Sequence, residues 1–114
     1  MAFVIKEVPD ITVSLEVLTP GDEAVSVLEA RWKLYDFPDA KERTDQLQRG
    51  LITDEELVAE DLLDLGPVED EQGKAVPFSQ ELAQQLLRKS YLRTPLIQSW
   101  FKAQSGLASA RKGN

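Results

Sequence analysis

The chain contains no histidine and no cysteine. Imidazole acid–base catalysis, thiol nucleophiles, disulfide frameworks and the Cys/His zinc sites are therefore all excluded by residue type. Carboxylates, Lys, Tyr, Ser and Thr are the remaining groups that could move a proton or attack a bond. The glycines are scattered at Gly21, Gly50, Gly66, Gly73, Gly106 and Gly113, so no phosphate-cradling loop is present. Ser79 and Ser90 lie in no nucleophile motif. Glu69-Asp70-Glu71-Gln72-Gly73 invites comparison with a calcium loop, but it lacks the alternating Asp/Asn ligands and the closing Glu. No catalytic, cofactor-binding or metal-ligating residue is assigned, and the residue types point to a protein that is not an enzyme.

Charge is the more informative property. The net charge of −7 divides into −3 over residues 1–35, −10 over 36–71 and +6 over 72–114. Residues 53–71 hold nine acids and no base. A chain this polar end to end either folds its basic third against its acidic middle or shows two faces to two partners. A solvated acidic face is the plainer reading. The overall negative charge repels phosphate, so nucleic acid is not expected as a partner. Mimicry of nucleic acid would need acids over most of the surface, whereas the last third is basic.

The length of 114 residues fits one domain, 42% of the residues are apolar and 29% are charged, so a buried core is within reach. Apolar runs are far shorter than the ~18–20 residues that cross a bilayer, and Met-Ala-Phe-Val-Ile-Lys does not look like a secretory signal. A cytosolic protein is expected, with no membrane partner.

Local patterns place the elements. Ile11, Val13, Leu15 and Val17 alternate with Thr12, Ser14 and Glu16, the period of a half-buried strand. Leu28, Ala30, Trp32 and Leu34 repeat the pattern beyond the turn residues Thr19-Pro20-Gly21-Asp22, which predicts an antiparallel hairpin within residues 1–35. The helical part follows over 36–110. A polar helix is expected from Pro38 to Arg49, with Asp36 as a cap and Gly50 as the stop. Thr53-Asp54-Glu55-Glu56 is a capping box opening a second helix with the stripe Leu57, Val58, Leu62, Leu63 and Leu65, ended by Gly66-Pro67. A short hairpin-like loop turns at Gly73. Ser79 caps a third helix bearing Leu82, Leu86 and Leu87, and Thr94-Pro95 starts a fourth with Leu96, Ile97, Trp100, Phe101, Leu107 and Ala108 on its stripe. Residues 111–114 are expected to form a loose basic tail. The fold class is thus α+β: an N-terminal hairpin, then about four helices.

One stretch carries a resemblance. Leu65-Gly66-Pro67-Val68 with the acidic turn to Gly73, then Val76-Pro77-Phe78-Ser79 and a leucine-rich helix, then Tyr91 through Thr94-Pro95 to Trp100-Phe101, resembles the phage tail assembly chaperones. Leu65 stands where that family commonly carries Trp. The resemblance implies a non-enzymatic phage or prophage protein in the host cytoplasm. Its implied partners are the tape-measure protein and the major tail protein, and it is absent from the finished virion. An extended form made by frameshifting is also common in such genes.

A chaperone of this kind must present apolar surface to an aggregation-prone helix while keeping the complex soluble. On that reading Ile97, Trp100, Phe101 and Leu107 contribute to a partner-binding edge. For Trp100 and Phe101, core packing is the stronger reading of the same stripe. The alternatives are a neck or tail adaptor retained in the particle, and an acidic inhibitor imitating nucleic acid.

Overall fold

Alternating apolar residues build the sheet first. In the computed structural model, which describes residues 1–106, β1 (Asp10–Val17) and β2 (Ser26–Lys33) form the expected antiparallel hairpin. Its register sets Ile11 opposite Trp32, Val13 opposite Ala30 and Leu15 opposite Leu28, so one face of the pair is continuous and apolar. All six are buried. Gly21, at φ 95°, supplies the left-handed residue of the turn.

Helices α1 (Phe37–Gln48) and α2 (Asp54–Asp61) follow. Asp36 occupies the cap position of α1, yet its side chain bonds to nothing there; its carbonyl accepts from the Ala40 amide instead. The capping box of α2 forms as anticipated: Thr53 Oγ1 accepts from the Glu56 amide at 3.1 Å, and Glu56 Oε1 accepts from the Thr53 amide at 3.0 Å.

The helix expected to run on to Leu65 stops at Asp61. Leu62–Gly66 is instead a strand, β3, antiparallel to β2 and completing a sheet of order β1-β2-β3. Leu65 faces Ala30 and Leu62 faces Trp32, with the register shifting between Arg31 and Trp32 so that Leu63 lacks an opposite number. The stripe read as one helix face is thus two helical residues, Leu57 and Val58, followed by strand residues. Pairing with the second edge of β2 overrides the local helical pattern. After a cis Gly66–Pro67 bond, β4 (Val68–Glu69) and β5 (Ala75–Val76) make the small hairpin around Gly73. Asp70 Oδ1 accepts from the Gln72 and Lys74 amides, so part of the acidic run holds a turn. Residues 36–110 are therefore not purely helical: three strands lie among the described part of them.

Ser79 caps α3 (Gln80–Leu87) through the Leu82 amide. Helix α4 (Ser90–Ser105) begins a turn earlier than Thr94, and Pro95 lies inside it. The extra turn is anchored by tertiary contacts. Leu92 is buried, and Arg93 pairs with Asp54 at 2.8 Å and with Glu55 on α2, while its Nε donates to the Leu87 carbonyl at 3.0 Å. Helix α4 lies across β1 and β2, and α3 packs against α2 and α4. The sheet, α2, α3 and α4 share one core. Among the described residues no helix is long and apolar enough to cross a membrane.

Candidate partner-binding surface

The residues anticipated as a binding edge separate by depth. Trp100 is fully buried, and its Nε1 donates to Asp61 Oδ2 at 2.9 Å, so it belongs to the core and not to an edge. Ile97 is half-buried and packs against that core. Phe101 is 37% exposed and meets the Trp100 ring edge-on, with centroids 5.1 Å apart. Leu107, Ala108 and the basic tail at 111–114 lie outside the described residues. Of the anticipated set, Phe101 and Ile97 are the described members with surface to offer.

The burial of Trp100 follows from a side chain that sequence reading treated as one acid among nine. Asp61 is wholly buried. One of its oxygens accepts from Trp100 Nε1 and from Arg43 Nε at 3.0 Å; the other accepts from the Tyr35 hydroxyl at 2.6 Å. Arg43 also reaches Glu60 at 2.9 Å and lies over the Tyr35 ring. Burial, and then the bond to Asp61, push the Tyr35 hydroxyl up to about 12. Burial works against the Arg43 charge, but its bond to Glu60 and the field of Asp61 outweigh this and raise its pKa. A buried carboxylate with donors on both oxygens is a structural tie. The signal was present in the spacing: Asp61 follows Leu57 by four and Val58 by three, which puts it on the buried face.

A second tie closes the sheet onto α4. Trp32 Nε1 donates to Ser99 Oγ at 2.9 Å, and Ser99 Oγ donates in turn to the Leu96 carbonyl at 2.6 Å. With both indoles committed, surface for a partner must come from elsewhere.

Two grooves and one segment provide it. The larger groove, of about 750 Å³, runs between α2 and α3. It is lined by Ala59 together with Glu55, Glu56, Glu81, Gln84, Gln85 and Arg88. Gln80, which also lines it, donates its amide to the Leu62 carbonyl at 2.9 Å, while its buried Oε1 accepts from nothing within the described residues. The Arg93 guanidinium, bonded to Glu55, draws that carboxyl below the usual carboxylate range. The second groove, of about 460 Å³, is lined by Ser14, Leu15 and Glu16 of β1, Val27 of β2, and Pro95, Gln98 and Lys102 of α4. The segment is the N-terminus, where Phe3, Val4 and Ile5 are 89%, 70% and 89% exposed. Sequence reading gave this segment no role.

No triad of His, Cys, Asp or Glu among the described residues is arranged to hold a metal ion. What these surfaces can do is receive another polypeptide: a helix in a groove between helices, or a strand at an open sheet edge. No family model, curated protein or solved structure matches the chain.

Proposed function

We propose that the chain is a non-enzymatic tail assembly chaperone of a phage or prophage, acting in the host cytoplasm on the tape-measure protein and also engaging the major tail protein. The observation that carries this reading is the α2–α3 groove. One of its walls is α3, which grows from the Val76-Pro77-Phe78-Ser79 start within the stretch that resembles such chaperones. The groove is open to solvent, and the small side chain of Ala59 lines it together with Glu55, Glu56 and Glu81. A long amphipathic helix with Lys or Arg beside its apolar stripe fits that description. Covering the stripe keeps the client from self-association until the tail tube encloses it.

The test is co-expression with a tape-measure protein, the long helical client that this reading implies. The client is expected to stay soluble with the native chain and to aggregate with Ala59→Glu or Gln85→Trp. Both positions are exposed, so neither change disturbs the core. A client equally soluble with the two variants would rule out the groove as the grip. Finding the chain in purified virions would favour a retained adaptor instead.

A further inference from the structure

Strand β1 closes one side of the sheet, with no further strand beyond it among the described residues. The Pro9 carbonyl accepts from the Leu34 amide at 2.9 Å, in phase with the β1–β2 register. Alternation along an antiparallel pair then turns the backbone groups of Ile11, Val13 and Leu15 toward β2. Those of Asp10, Thr12, Ser14 and Glu16 point outward. The eight residues of β1 hold no lysine, proline or register shift, the usual devices that keep an edge from pairing. The opposite edge is treated differently: the Gln80 amide covers the Leu62 carbonyl at 2.9 Å, and a register shift interrupts the pairing of β3.

Helix α4 supplies a ledge beside the free edge. It runs antiparallel to β1: Tyr91 and Leu92 share a cavity with Val17, and Gln104 Nε2 donates to the carbonyl of Lys33, which stands opposite Asp10. In the groove that Ser14, Leu15 and Glu16 share with α4, Pro95 therefore sits toward the Val17 end and Lys102 toward the Asp10 end. Charge is divided between the two faces of this edge. Lys102 stands on the α4 side; Asp10 and Glu16, opposite in parity to the buried Ile11, Val13 and Leu15, stand on the open side. None of the three makes an ion pair among the described residues.

We propose that this edge receives an extended segment of a partner protein as a fourth, antiparallel strand with a set pattern of charge. The segment carries Lys or Arg opposite Glu16, a small apolar residue opposite Leu15 beside Pro95, and Asp or Glu opposite Val13, where its side chain turns toward Lys102. A second Lys or Arg stands opposite Asp10. Base, acid and base thus fall three residues apart, an odd spacing that puts the acid on one face of a strand and both bases on the other. That pattern selects the register, because a slip of one residue turns every charge to the wrong face. The antiparallel sense follows from the sheet, which is antiparallel throughout, and from the stronger ladder it gives. A second copy of β1 does not meet the requirement, since its charged residues, Asp10 and Glu16, are both acids. The α2–α3 groove is built from other elements, so the pairing does not depend on the function proposed above.

The probe is a labelled seven-residue peptide, Lys-Val-Thr-Glu-Thr-Ala-Lys, capped at both ends and followed by fluorescence anisotropy at low salt. It is expected to bind the native chain with a dissociation constant below ~1 mM and to slow hydrogen exchange at Thr12, Ser14 and Glu16. Replacing its Glu by Lys should weaken binding about fivefold, and Lys102→Glu should reverse the preference between the two peptides. Ser14→Pro removes an outward N–H at an edge position that tolerates proline, and should weaken binding at least ~10-fold. No binding to the native chain overturns the proposal. So does equal binding of a peptide of the same composition with its Glu moved one place, or binding indifferent to Lys102→Glu. Should Ser14→Pro fail to fold, the charge exchange decides alone, since Lys102 is exposed.

Discussion

Asp61 is wholly buried and holds three donors at once. It joins α2, where it resides, to the Tyr35 segment after β2, to Arg43 on α1 and to Trp100 on α4. Truncating it strands a buried indole N–H and leaves the Arg43 guanidinium with the more exposed Glu60 alone. Asp61→Ala is expected to lower stability by about 3–5 kcal/mol in urea denaturation. The Tyr35 hydroxyl gives the same cluster a pH signature. Its pKa is raised in the folded protein from an ordinary value of 10.0 to about 12. The neutral phenol is thus favoured by folding, and its contribution is complete below pH 10 and lost as the pH rises toward 12. Tyr35→Phe should flatten that alkaline loss of stability, as read from midpoints in urea across this range.

At the scale of elements, the two helices opened by a hydroxyl cap start where their sequences place them. Thr53→Ala removes an acceptor for the Glu56 amide and half of a reciprocal pair, so it should cost about 1 kcal/mol, measurable as a shift in urea midpoint at constant slope. The hairpin, the two capped helices and the turn at Gly73 were legible because each depends on signals within a few residues: alternation, a cap, a left-handed glycine. Strand β3 was not. Leu62-Leu63-Asp64-Leu65 continues the helical spacing of Leu57 and Val58, and only the unfilled edge of β2, more than twenty-five residues earlier, decides for a strand. The start of α4 was misplaced for a related reason. Thr94-Pro95 has the chemistry of a helix start, while the turn before it is held by Arg93 on the acids of α2 and by buried Leu92. The binding residues followed the same rule: Trp100 was visible as part of an apolar stripe, but the partner that buries it, Asp61, lies thirty-nine positions away.

Across the whole molecule, sheet and helices draw on one core. Trp32 on β2 and Trp100 on α4 are both wholly buried there, and each is tied by its indole N–H to an element distant in sequence. Neither layer keeps a core of its own when the other is lost, so the described region should unfold in one step. Trp32→Phe and Trp100→Phe each leave a single indole, reporting from α4 and from the sheet respectively. Within either variant, fluorescence and far-UV circular dichroism are expected to give the same midpoint in urea. Separate midpoints would mean that hairpin and helices are independent units. The charge halves fold onto each other in part: Arg93 from the basic third reaches Asp54 and Glu55 in the acidic middle. These partly exposed pairs add less than about 1 kcal/mol each, so raised salt should lower stability only slightly.

The passage from α2 to β3 takes place without a single connecting residue, Asp61 ending one and Leu62 beginning the other. Such a join has no slack. An inserted residue on its helical side would swing the buried carboxylate about 100° around the axis, and one on its strand side would turn Leu65 out to solvent. Length changes are instead absorbed at the Pro20-Gly21 turn or around Gly73, and those two tips are the places to graft a tag or a reporter.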